Sequence, residues 1–152
     1  LLDFVNIAKD FGSGTGLDFV LIGPVPVGPL PPMIRAAGYA SSSIEAISAC
    51  DLILSLSHFA ESFGRTVAEA MAGGRPVIAY DHGHPSTLLK NGGGRLVPRF
   101  DWRSVAQQIR KIASDKELYK RLSEEGRTAA RPLAEPWPQS LTEQIFGLTN
   151  SG

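Results

Sequence analysis

The chain opens on a helical stripe: Leu1, Val5 and Ala8 recur at the spacing of one helix face, with Phe4 and Phe11 beside them. Gly12-Ser-Gly-Thr-Gly16 ends that helix and lets the chain turn. Residues 17–22 form a continuous apolar run closed by Gly23-Pro24, the pattern of a strand buried on both faces. Pro24, Pro26, Pro29, Pro31 and Pro32 then remove backbone donors, so residues 24–32 predict an extended loop and, at most, a sheet edge. Ser41 to Ser43 can cap a short helix running from Ile44 to Cys50. Residues 51–57 read as a second buried strand, residues 65–72 as a helix stopped by Gly73-Gly74, and residues 76–80 as a third strand.

Gly92-Gly93-Gly94 turns the chain into a short fourth strand at residues 95–97. Asp101 is placed to cap a helix whose stripe is Val105, Ala106, Ile109 and Ile112. Ser114 and Glu117 have capping-box spacing ahead of Leu118 and Leu122, and Ser140 and Glu143 repeat it ahead of Ile145 and Phe146. Strands alternating with helices in this way predict a three-layer α/β domain, a parallel sheet with helices on both faces.

Composition narrows the classes of function. A length of 152 residues fits one domain. Fifteen basic residues balance fifteen acidic ones, which removes the whole-chain basic field of a nucleic-acid binder. Cys50 has no second cysteine to pair with, so a reducing, cytoplasmic setting is expected. No apolar run approaches the ~20 residues that would span a bilayer. Leu1 lies already inside the amphipathic pattern, which predicts a domain drawn from a longer chain.

In an open parallel sheet, ligands settle beyond the carboxyl ends of the strands. The segment leaving the second strand reads His58-Phe-Ala-Glu61-Ser-Phe-Gly64-Arg-Thr-Val-Ala-Glu69. Gly64 allows a ligand close to the backbone, and the helix that starts at Arg65 offers free N–H groups to a phosphate. Glu61 and Glu69 bracket that point. Carboxylates accept hydrogen bonds from hydroxyls, so the pair suits a ligand with a sugar on either side of its phosphates. Each also has a plainer role: Glu61 can complement the helix dipole, and Glu69 can be a solvated helix residue.

Glu61 and Glu69 with Phe63-Gly64 between them, the continuation Glu-Ala-Met-Ala-Gly-Gly-Arg-Pro-Val-Ile-Ala and the stretch Asn91-Gly-Gly-Gly-Arg-Leu-Val-Pro98 together resemble the family-4 (group 1) retaining glycosyltransferases of GT-B fold. The resemblance implies that residues 1–152 are the C-terminal, donor-binding Rossmann-like domain, with residues 137–152 as exit helix and tail. It implies a nucleotide diphosphate sugar as donor, a hexose transferred with retention, and a sugar, lipid or polysaccharide as acceptor. Glu61 is then the catalytic-centre residue, bonded to the donor hexose. Ser62, Phe63, Gly64 and Arg65 line the sugar and distal phosphate, Thr66 the diphosphate, Glu69 the ribose, and Gly23 the side of the base. No metal or other cofactor is implied.

The family's upstream Arg and Lys, which neutralise the leaving diphosphate, have no counterpart here, and an N-terminal acceptor domain is expected as the missing partner. Any peripheral membrane attachment would belong to that half. Thr87 stands where relatives often carry Glu, and His58 and the proline-rich stretch depart from the family pattern. His58, His82 and His84 form no familiar metal-ligand spacing with a cysteine or an acid, so no metal site is expected. Two other functions fit the same residues: a nucleotide-sugar-binding module without activity, and a fragment of a GT-B epimerase.

Overall fold

Strand β4 (Val77–Tyr80) shows why the chain folds in layers: all four residues are buried, and successive side chains leave on opposite faces. Ile78 and Tyr80 enter one apolar cluster, with Ile7 and Ala8 of helix α1 (Leu2–Phe11) and Val105, Ile109 and Ile112 of helix α5 (Trp102–Ser114). Val77 and Ala79 enter the other, with Val67, Ala70 and Met71 of helix α3 (Arg65–Ala72) and Leu88 and Leu89 of helix α4 (His84–Leu89). Helices therefore cover both faces, as the alternating pattern predicts.

The computed structural model describes residues 1–24, 28–59 and 64–133. Strand β1 (Phe19–Ile22) pairs in parallel with β2 (Ile34–Gly38), and β3 (Ile53–Ser55), β4 and β5 (Gly94–Val97) form a parallel sheet in that order. The remaining helices are α2 (Ser43–Ser48) and α6 (Lys116–Ala130), the latter followed by a 3-10 turn at Arg131–Leu133. Residues 25–27 of the proline-rich stretch, Glu61, Ser62 and Phe63, and the expected exit helix with Trp137, Ser140 and Glu143 lie outside the described residues.

Local chemistry sets the helix starts. The Ser42 hydroxyl accepts from the Glu45 amide, while Glu45 reaches back to the amide and hydroxyl of Ser41. Asp101 accepts from the Ser104 amide at 3.0 Å. The expected Ser114 cap of α6 is corrected: Asp115 performs it, accepting from the Leu118 amide at 2.9 Å. An aspartate one residue closer to the first turn satisfies the same orphan donors and adds a favourable charge.

Three other readings change. The first strand is not buried on both faces, since only Phe19 of β1 is fully buried. Strand β3 is shorter than residues 51–57 and half-buried, because it lies at the edge of its sheet. Strand β2 and helix α4 were not legible in the sequence. Ile34-Arg-Ala-Ala-Gly38 has one apolar anchor and three exposed residues, and α4 is short, begins at His84-Pro85 and shows little periodicity.

Candidate functional site

The carboxyl ends of β3, β4 and β5 share one edge because the three strands are parallel. The polypeptide leaving β3 reaches Gly64, which adopts a left-handed conformation (φ 55°, ψ 36°) as the N-cap of α3. A Cβ there would lie 3.0 Å from Leu88 Cδ1 and 3.5 Å from Pro85 Cδ, so both dihedral angle and packing call for glycine. Gly64 provides no side-chain cap, and the first turn of α3 holds no acidic residue. Its N–H groups and positive dipole end are therefore uncompensated by the helix itself.

Arg65 and Thr66 are exposed on that first turn, whereas Glu69 is 3% exposed. Glu69 Oε1 accepts from Arg65 Nε at 2.8 Å, an i,i+4 pair in which the arginine side chain is 71% exposed and the glutamate side chain 2%. The plainer alternative, a solvated Glu69, does not hold: this carboxylate is buried. Gly23 terminates β1 and donates its amide to the Gly38 carbonyl at 2.7 Å. Gly64, Arg65, Thr66 and Glu69 come together; Glu61, Ser62 and Phe63 fall outside the described residues.

A cleft at the same strand ends is lined by Ser55, Ser57, Phe59, Tyr80, His82 and Pro85. His82 Nε2 and Ser86 Oγ are buried there or close by in sequence, with no hydrogen-bond partner among the described residues. Sequence reasoning missed the hydroxyls of Ser55 and Ser57, which look like ordinary strand residues until the β3 terminus is located.

It also missed a polar cluster behind this edge. The buried Asp3 carboxylate, from the first turn of α1, accepts from the Tyr80 hydroxyl at 2.6 Å and pairs with His58 Nε2 at 2.7 Å, both through Oδ2. Burial alone pushes the Asp3 carboxyl upward, but the hydrogen bonds from Tyr80 and His58 and the charge of His58 outweigh it and hold the pKa below the ordinary value. Burial and the adjacent Asp3 carboxylate push the Tyr80 phenol well above its usual range.

A depressed carboxyl contributes stability above its unfolded-state pKa of about 3.9, and that contribution is lost as pH falls through the folded value. Asp3→Asn is accordingly expected to flatten the acid limb of a stability–pH profile below about pH 4. Identical acid limbs in thermal unfolding would show that Asp3 carries no such linkage.

A doubly wound α/β domain with a glycine-capped helix start beside a buried glutamate is the type of scaffold that holds phosphorylated ligands at its strand ends. Residues 30–129 match the family model described as glycosyl transferases group 1, and the chain belongs to that family. It is 26% identical over 115 residues to the poly(glycerol-phosphate) alpha-glucosyltransferase of Bacillus subtilis, covering 71% of this chain and 17% of that one. It is 34% identical over 95 residues to a probable sucrose-phosphate synthase 2 of Oryza sativa subsp. japonica, covering 60% of this chain and 9% of that one. The chain thus spans less than a fifth of these relatives' length. Among solved structures, HepE of Anabaena in complex with UDP-glucose superposes with a TM-score of 0.74 at 20% identity, over 95% of this chain and 43% of that one. The C-terminal domain of a group 1 glycosyl transferase (LpcC) from Francisella tularensis gives 0.58 at 26% identity, over 68% of this chain and 54% of that one. The fold is that of the C-terminal domain of a GT-B glycosyltransferase.

Proposed function

We propose that this chain is the donor-binding domain of a retaining hexosyltransferase that takes its sugar from a nucleotide diphosphate. One observation carries the reading: a left-handed Gly64 opens a helix that has no acid in its first turn, and a buried Glu69 sits about one turn inside it, in a chain of the group 1 family. The N–H groups at residues 64–66 would hold the diphosphate. Glu69 would accept from ribose hydroxyls through the oxygen that Arg65 leaves free, and the exposed Arg65, folded back onto Glu69, would have to swing away from it to reach the phosphates. Glu61, eight positions before Glu69, would bind the hexose next to the reacting carbon, with Ser62 and Phe63 beside it. The complex of HepE with UDP-glucose supports a nucleotide sugar as the ligand class.

The acceptor would be held by a further Rossmann-like domain, and the chain by itself would be inactive in transfer. Among the described residues no helix is long and apolar enough to cross a membrane. The unpaired Cys50 supports a cytoplasmic location.

Isothermal titration with UDP and with UDP-glucose tests the assignment through the two glutamates. Glu69→Gln is expected to weaken both ligands alike, because both carry ribose. Glu61→Gln is expected to spare UDP and remove only the increment that the hexose adds. Losing a charged acceptor of this kind costs roughly 1.5–3 kcal/mol, or about 10- to 150-fold in affinity. Equal losses for both ligands in both variants would reject the assignment. No binding of any nucleotide sugar would reject the donor-domain reading itself.

A further inference from the structure

The net charge of zero conceals one uneven helix. Helix α5 carries Arg103, Arg110 and Lys111 and no acidic residue, whereas α6 mixes both signs. Arg103, Gln107, Arg110 and Ser114 recur at the spacing of one helix face, and all four are exposed. From Arg103 to Arg110 the helix rises about 10 Å. Arg99, also exposed, stands just ahead of the helix start and donates to the His58 carbonyl, so the row begins at the strand-end edge. At its far end Lys9 of the neighbouring α1 is exposed beside Asp10, which pairs with Arg110 at 2.6 Å.

The three guanidiniums of this row are each seated on an aromatic ring. Arg99 lies 4.4 Å from the centre of Phe100, Arg103 4.6 Å from that of Trp102 and Arg110 4.4 Å from that of Phe11. A ring beneath a guanidinium steadies its plane and leaves its N–H edges to an anion. Asp101, the acid between Arg99 and Arg103, turns its carboxylate to Ser104, accepting from the amide at 3.0 Å and the hydroxyl at 2.6 Å. Among the described residues neither Arg99 nor Arg103 pairs with a carboxylate.

We propose that Arg99, Arg103 and Arg110 form a track for an anionic polysaccharide, the part of the acceptor that extends beyond the sugar receiving the transferred hexose. The inference rests on the transferase reading and adds the class of acceptor. A row of steadied cations fits a chain with acid groups along it, since each guanidinium can take one such group through paired N–H bonds. A bilayer fits less well: a helix docked on lipid sets large apolar side chains beside its cations, and α5 exposes none. The row also leads away from the strand-end edge, the direction in which a long acceptor has to leave the reacting centre.

Oligogalacturonate, neutral dextran and phosphatidylglycerol vesicles are titrated separately into the full chain, with arginine Nε–H resonances and affinity as readouts. Oligogalacturonate is expected to shift Arg99, Arg103 and Arg110 and to lose about tenfold in affinity between about 50 and 200 mM salt. The double variant Arg103→Ala, Arg110→Ala is expected to bind it about tenfold more weakly. Lysine at both positions is expected to regain only part, because an ammonium keeps the charge without the planar fork. UDP affinity is expected to stay within about twofold in both variants. Equal binding of dextran, shifts confined to other arginines, binding to the vesicles alone, or an alanine pair that binds oligogalacturonate undiminished overturns the track. If the unsubstituted chain binds neither UDP nor UDP-glucose, the donor reading falls, and the oligogalacturonate titration still decides whether the track exists.

Discussion

Gly94→Ala is expected to lower the melting temperature by about 10 °C or more, if the chain folds at all. A Cβ at Gly94 would lie 2.1 Å from the Val77 carbonyl oxygen and 2.9 Å from Leu89 Cδ2. The first of these is backbone of the fully buried strand β4, paired in register with Gly94 itself, so relief requires the β4–β5 ladder to separate. Overpacking of side chains costs about 1–3 kcal/mol because rotamers can adjust; a backbone collision leaves no such route and exceeds that range. Against a total stability of roughly 5–15 kcal/mol, this is a large fraction. Gly74→Ala provides the internal contrast. There the Cβ meets the Arg127 guanidinium at 2.3 Å, the far end of a flexible side chain, and the main penalty is the positive φ of 66°. That costs roughly 1–2 kcal/mol. Thermal unfolding followed by circular dichroism ranks the pair, and equal small shifts would contradict the described β4–β5 register.

The parts of this fold that were legible in the sequence are those whose signal is local. The stripe Val105, Ala106, Ile109 and Ile112 is buried as a stripe because a helix period of 3.6 does not depend on what lies opposite. Residues 65–72 begin and end at glycines, and the helix keeps those bounds. Strand β2 was lost because its strandedness comes from pairing with β1: Arg35, Ala36 and Ala37 are exposed and carry no alternation, and the partner's backbone supplies the order. Gly64 and Glu69 could be singled out from a helix start and a spacing, and the structure shows the one left-handed and the other buried. What spacing could not reveal is that Arg65 folds back onto Glu69, since an i,i+4 neighbour on a helix can equally extend into solvent. The Asp3–His58–Tyr80 cluster joins residues 55 and 77 positions apart, and a lone histidine after a strand and a lone aspartate in a first turn have commonplace explanations when taken separately.

Transfer from a nucleotide sugar by the 152-residue chain alone is expected to stay at least about a thousandfold below that of a protein extended upstream by a second Rossmann-like domain. Two separate demands lead there. The attacking hydroxyl has to be held near the anomeric carbon, and such positioning supplies roughly 7–11 kcal/mol of a bimolecular barrier. The leaving diphosphate needs donors aimed at the charge it develops, which at a single site is commonly worth about 2.7–4 kcal/mol. The start of α3, with Gly64 at its head, no acid in its first turn and the exposed Arg65 one residue on, can address the second demand in part. For the first, the described edge offers a shallow cleft among Ser55, Ser57, Phe59, Tyr80, His82 and Pro85, with Phe59 and Phe100 left 83% and 50% exposed beside it. Two exposed aromatic rings next to the proposed donor site suit a surface that another domain would cover, and covering it would also exclude the water that otherwise competes with the acceptor. The assay is product formation from UDP-glucose over a panel of sugar, lipid and polysaccharide acceptors, with donor hydrolysis recorded alongside. Turnover by the isolated chain within about tenfold of the extended protein would place the acceptor site inside these residues and end the division of labour proposed for them. Hydrolysis without transfer by the extended protein would instead point to a nucleotide-sugar-handling role of another kind.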